Sequence, residues 1–169
     1  YERSQIFDAL KTANSLEGAG FVEIFQRNGD AWELSAKLTA EDAIVERHFG
    51  VATAISGEYA LVCDIKDGIY SYRQINGEWL LQERIESACD NVAMNRQWAA
   101  VDTGHKISIF KNNDGRWVFS QVLVPKHYLK NREKNHEFGW FGMSMAITDE
   151  NLFIGNPYGG ADPTGELYI

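Results

Sequence analysis

The sequence predicts an all-β fold, a β-propeller of four-stranded antiparallel blades, and three repeated features support this prediction. Trp32, Trp79 and Trp117 each stand six residues before an aliphatic residue and follow a polar turn. Residues 49–55 and 141–147 share the pattern Phe-Gly-x-x-x-Ala-Ile. The next aliphatic anchor then follows seven positions after the end of each such segment. A pattern that recurs at fixed offsets indicates repeat units that bury their apolar faces by stacking.

Each repeat unit contains four short strands rich in β-branched and aromatic residues. A tight turn joins the first two strands, as between Ile55 and Val62. An alternating apolar run, as in 69–72, forms the third strand, and the repeated tryptophan lies in the fourth. Residues 88–94 are a degenerate copy in which Phe-Gly is lost. The units recur every 39 to 55 residues, which is the spacing of propeller blades, as counted between Phe7, Val62, Val101 and Ile154.

The repeat predicts two complete and two partial blades. We expect a second strand within residues 1–10 and a third strand within 165–169. Because such partial blades expose sheet edges, we expect either a fragment of a longer propeller or a chain that a partner or a second copy completes. The predicted boundaries are a partial blade 1–42, blades 43–88 and 89–126, and a partial blade 137–169.

Composition excludes several classes of partner. The 169 residues include 16 basic and 24 acidic side chains, and the net charge of −8 argues against nucleic acid. No stretch approaches eighteen apolar residues, so we expect no membrane insertion. Cys63 and Cys89 could pair, but their spacing gives no support for a bond, and buried free thiols are the preferred interpretation.

The order of these motifs resembles FG-GAP repeats, the blades of the integrin α-subunit propeller and of many microbial surface proteins. The resemblance covers nearly the whole chain and is best in 20–38, 49–62 and 141–169. It implies an extracellular or cell-surface location, although the residues themselves leave the compartment open.

Many FG-GAP blades carry a calcium loop between their first two strands, and this chain departs from that pattern. The three turns at 56–58, 95–97 and 148–150 are too short and too poor in acids to surround a cation, so we expect no metal and no cofactor. Asp64 with Asp67, or the turn 112–115, could be nominated instead, but these are ordinary turn residues.

The sequence shows no arrangement of catalytic residues. The four histidines lack metal-ligand spacing, and no nucleophile elbow, phosphate loop or dinucleotide fingerprint is present. The repeated position of Trp32, Trp79 and Trp117 predicts packing between blades, since large aromatics dominate such contacts. Trp98 is expected in or near the core, and Trp140 is the tryptophan that we expect to be partly exposed.

The resemblance implies that partners dock on the face formed by the loops that enter each first strand and the loops that join second to third strands. A basic and aromatic cluster in one such loop suggests an anion or acidic-partner site, although a solvated loop explains it as well. Turn formation likewise explains the glycine-flanked Tyr158 without a ligand. The candidate binding residues are Lys126, His127, Tyr128, Lys130, Arg132, Trp140, Asp64, Asp67, His105, Tyr158 and Asp162.

The leading functional hypothesis is a non-enzymatic binding or adhesion module that recognises a protein or a glycan through this loop face. The alternatives are the propeller domain of a larger hydrolase or lyase, and a scaffold segment that assembles with other chains. The fold does not choose among them, because propellers serve all three roles.

Overall fold

A computed structural model describes residues 19–40, 48–104, 106–124, 140–157 and 166–168. The chain divides into two compact units, Tyr1–Gly50 and Val51–Ile169, which are described separately. All regular structure in the described residues is β-strand, as predicted. Within them, no helix has the length and apolarity that crossing a membrane requires.

The described part of the first unit contains one antiparallel hairpin. Strand β1, Val22–Asn28, pairs with β2, Ala31–Leu38. Arg27 lies opposite Trp32 and Phe25 lies opposite Leu34, with a register shift between Ile24 and Phe25. These two strands correspond to the predicted third and fourth strands of the first partial blade. The predicted second strand in 1–10 lies outside the described residues.

The second unit contains three antiparallel sheets, each of which connects its strands in chain order. The first blade is β3 Thr53–Ser56, β4 Tyr59–Asp64, β5 Gly68–Ile75 and β6 Glu78–Ile85. The second blade is β7 Asn91–Met94, β8 Trp98–Asp102, β9 Ile107–Asn113 and β10 Arg116–Leu123. The third blade is β11 Ser144–Ile147, β12 Leu152–Asn156 and β13 Glu166–Tyr168.

Strand register confirms that the sheets are copies of one unit. Trp79 lies opposite Gln74 and Trp117 opposite Asn112, at the place that Trp32 occupies in the β1–β2 hairpin. Each third-to-fourth strand pair also contains one register shift at the same distance from its turn. The turns Asn76-Gly77 and Asp114-Gly115 have positive φ at both residues, the conformation that suits a two-residue hairpin.

Two apolar clusters fill the spaces between the sheets of the second unit. The first joins the first and second blades and includes Tyr59, Leu61, Cys63, Cys89, Val92, Val101, Phe110 and Trp117. The second joins the second and third blades and includes Ala100, Ile107, Ile109, Phe141 and Ile154, with Trp98, Met145 and Leu152 packed against it. Face-to-face stacking of blades is therefore present within this unit, and Trp98 lies beside the core as predicted.

The three repeated tryptophans differ in burial. Trp117 is 4% exposed, and its ring meets that of Tyr59 edge to face at a centroid distance of 6.4 Å. Trp79 is half-buried, whereas Trp32 is 68% exposed. The prediction of inter-blade packing is correct for Trp117 and wrong for Trp32, because no described residue covers Trp32 as Tyr59 covers Trp117.

The expectation that Cys63 and Cys89 are free thiols is wrong, because the two residues form a disulfide. Cys63 belongs to β4 of the first blade, and Cys89 precedes β7 of the second. Stacking of the two sheets brings their Cα atoms to 5.4 Å, within the range that a disulfide bridges. Sequence spacing did not indicate the bond, since it depends on how two neighbouring sheets pack.

Candidate functional site

A cleft of about 430 Å³ opens on the loop face of the second unit. The chain segments that enter the first strands of all three blades converge there with the start of the β8–β9 loop. This is the face on which the sequence predicts binding. The residues that line the cleft are Val51, Ala52, Asp90, Asn91, Asp102, Gly104, Trp140 and Met143.

Three of these residues occupy one position of the repeat. Val51 and Met143 each follow the Phe-Gly pair of their copy, and Asp90 follows the Ala88-Cys89 pair that replaces it. Since the blades stack in register, equivalent positions converge on the same cleft. The residue after each Phe-Gly position is therefore the signal by which sequence reasoning could have found this site.

Asn91 fixes one wall of the cleft. Its Nδ2 donates hydrogen bonds to the carbonyl oxygens of Gly142 at 2.9 Å and Met143 at 3.1 Å, and its Oδ1 accepts one from the amide of Val92. The amide of Met143 in turn donates to the carbonyl of Trp140. These bonds tie the loop that carries Trp140 to the second blade, so the cleft is held in shape before any ligand arrives.

Two carboxylates give the cleft its negative charge. Asp102 is buried, and its Oδ1 accepts a hydrogen bond from the amide of Gly104 at 2.8 Å. Asp90 is exposed, and its amide donates to the carbonyl of Asp102 at 3.0 Å. No basic side chain is among the described residues that line the cleft. Among all the residues that the structure describes, no three His, Cys, Asp or Glu side chains form a group that could hold a metal ion.

Apolar side chains border these acids. Trp140 is 48% exposed, and Met143 and Val51 are exposed to a similar extent. Trp140 was predicted as a binding residue and as a partly exposed tryptophan, and its exposure confirms the second prediction, although Trp32 is more exposed. An exposed aromatic and two aliphatic side chains beside carboxylates suit a ligand that has both apolar surface and hydrogen-bond donors.

Asp64 and Asp67, which were also predicted as binding residues, come together in the β4–β5 turn and are absent from the lining of the cleft. Asp64 is fully buried, and its Oδ1 accepts hydrogen bonds from the amides of Lys66 and Asp67. Asp67 Oδ2 accepts from the hydroxyl of Tyr70 at 3.0 Å and pairs with Arg84 at 3.1 Å. These contacts give both carboxylates a structural role in the turn.

The remaining predicted binding residues stay predictions. They lie outside the part of the chain that the structure describes, and they are Lys126, His127, Tyr128, Lys130, Arg132, His105, Tyr158 and Asp162. Asp90, Asp102, Val51 and Met143, which line the cleft, were absent from the predicted set.

Comparison with protein-family models matches residues 32–76 to the FG-GAP repeat. The matched segment runs from β2 through the Phe49-Gly50 pair to Asn76, the first residue of the turn after β5, so it contains most of one complete repeat pattern. No curated protein matches the chain significantly.

Proposed function

Since residues 32–76 of this chain form an FG-GAP repeat, we propose that the chain is a non-enzymatic binding module that recognises a protein through its loop-face cleft. The observation that carries this proposal is the exposure of Trp140 and Met143 directly beside the carboxylates of Asp90 and Asp102. Apolar side chains exposed in one place commonly mark a protein-binding surface.

The composition of the cleft favours a protein over a glycan. Aromatic residues and methionine are enriched in protein interfaces, whereas exposed valine and methionine offer nothing to a sugar hydroxyl. The two carboxylates accept hydrogen bonds and attract positive charge, so the partner presents apolar side chains together with basic or amide groups. A glycan that stacks on Trp140 is the competing ligand class.

Charge and shape both support this role. The net charge of −8 speeds encounter with a basic partner, and this effect weakens as salt rises. The hydrogen bonds of Asn91 hold the Trp140–Met143 loop in place, so little ordering entropy is lost on binding. The Cys63–Cys89 disulfide supports a location in an oxidising compartment, where such bonds persist.

Selection from a displayed peptide library, run beside a glycan array, tests the proposal. We expect enrichment of peptides that combine basic and apolar residues, with no glycan bound. Trp140→Ala is expected to weaken the selected peptide at least about tenfold, because truncation of an interface tryptophan commonly costs that much. Asp90→Asn is expected to weaken binding and to flatten its salt dependence.

Asp30→Asn is the matched control for the loss of one carboxylate. Asp30 lies in the β1–β2 turn with a fully exposed side chain, so its substitution should leave binding unchanged. If a glycan binds and Trp140→Ala abolishes that binding, the ligand of the cleft is a sugar and not a protein. Peptide binding that survives both cleft substitutions would remove the cleft from the proposal.

A further inference from the structure

The β1–β2 hairpin leaves uncovered an aromatic face that the equivalent strands of the second blade bury. Trp32 and Phe25 occupy the same register positions as Trp117 and Phe110. Trp32 is 68% and Phe25 is 49% exposed, whereas Trp117 is 4% and Phe110 is 5% exposed. Within the part of the chain that the structure describes, the same residue types at the same positions therefore lack the partner surface that their equivalents have.

The first apolar cluster shows which surface covers Trp117 and Phe110 of the second blade. Trp117 and Phe110 pack with Tyr59 and Leu61 of β4, and Ala54 of β3 packs against the same group. Ala54 and Leu61 lie opposite each other in the β3–β4 ladder. The aromatic face of the second blade is thus covered by the hairpin that the first and second strands of the neighbouring blade form.

The third blade has an equivalent surface. Ala146 and Phe153 lie opposite each other in the β11–β12 ladder, as Ala54 and Leu61 do in β3–β4. Met145, Leu152 and Ile154 pack against the second blade, so the alternate residues of these strands lie on the other face. Ala146 is exposed and Phe153 is half-buried, whereas Leu61 is buried.

We propose that the β1–β2 face of one molecule binds the β11–β12 face of a second copy. The two surfaces differ, so the contact is heterologous: Trp32 of one molecule meets Phe153 of its partner, and each molecule retains one open face of each kind. The interface reproduces between chains the packing that joins the first and second blades within one chain.

Light scattering of the 169-residue chain over a wide range of concentration tests the proposal. We expect a mass that rises from 19.1 kDa to at least twice that value, and a blue shift of tryptophan emission as Trp32 is covered. Trp32→Ser alone and Phe153→Ser alone should each remain monomeric. Leu80→Ser, which removes an exposed apolar side chain from β6, should assemble like the unaltered protein.

A mixture of the two variants provides the decisive measurement. Trp32→Ser retains the Phe153 face and Phe153→Ser retains the Trp32 face, so an equimolar mixture should form a dimer although neither variant does alone. Thermal unfolding of each variant shows whether it has folded. A mass of 19.1 kDa at every concentration, or a mixture of folded variants that stays monomeric, would overturn the proposal; the first result is also expected if the chain covers Trp32 with its own residues.

Discussion

The first and second blades meet in a different way from the second and third blades, although the same two repeat positions are involved. At the first junction, Cys63 of β4 is bonded to Cys89, which stands two residues before β7. At the second junction, Asp102 of β8 lies against Gly142, which stands two residues before β11. Cys63 and Asp102 each follow the aliphatic anchor of their second strand.

The difference accounts for Cys89 in place of the Phe-Gly glycine in the degenerate copy at 88–94. Gly142 has a φ of +100°, and a Cβ there would lie 2.6 Å from Ile107 Cδ1 and 2.9 Å from Asp102 Cγ. The second junction thus needs a residue without a side chain. At the first junction that close contact is replaced by a covalent bond, which itself requires side-chain atoms at both positions. The loss of a motif residue here reflects a change in how the blades are joined.

The largest expected effect comes from breaking the disulfide of the first junction. Reduction should lower the free energy of unfolding by about 3 kcal/mol, because a bond that spans 26 residues restricts the unfolded chain. Urea denaturation with and without a phosphine reductant measures the difference. The double variant Cys63→Ala/Cys89→Ala should be less stable and insensitive to the reductant. Equal stability of the unaltered protein in both conditions would contradict a structural disulfide.

At the second junction, Gly142→Ala is expected to destabilise by about 2 to 3 kcal/mol, since it adds steric overlap to an unfavourable φ. Gly77→Ala is the matched control: Gly77 also has a positive φ, of +88°, but a Cβ there meets no atom within 4 Å. Its cost should be about 1 kcal/mol, from the backbone alone. The excess at Gly142 measures the close contact, and equal losses at both glycines would show that the contact is not tight.

The sequence predicted those features that recur and missed those that depend on contacts between sheets. Turn residues and the alternation of apolar residues predicted the strands, and the repeat position of Trp117 predicted its burial, because local pattern determines both. The Cys63–Cys89 bond and the burial of Asp102 depend on how one blade stacks on the next. The exposure of Trp32 departs from its repeat position, since burial also requires a neighbour. Asp90 was missed as a cleft residue for a related reason: only alignment with Val51 and Met143 shows that it faces the same space.

The smallest expected effect tests how far the second junction depends on hydrogen bonds. Asn91→Ala removes the two bonds to the carbonyls of Gly142 and Met143 and the bond that Oδ1 accepts from Val92, which should together cost about 1 kcal/mol because water can replace part of them. Asn28→Ala is the control, since Asn28 makes one exposed bond to Glu33 within its own hairpin and should cost less than about 0.5 kcal/mol.

Hydrogen exchange shows where in the structure Asn91→Ala acts, whereas denaturation shows only how much stability is lost. The Trp140–Met143 loop is joined to the second blade by Asn91, so Asn91→Ala should speed exchange in 140–143 while the amides of β4 and β5 keep their protection. The disulfide holds the first junction, whereas the Nδ2 bonds of Asn91 run to Gly142 and Met143 at the second junction. Faster exchange throughout both junctions would mean that the two junctions unfold as one cooperative unit. The disulfide and the Asn91 bonds would then not stabilise separate parts of the structure. Exchange confined to the loop would show that each blade contact is stabilised by its own chemistry.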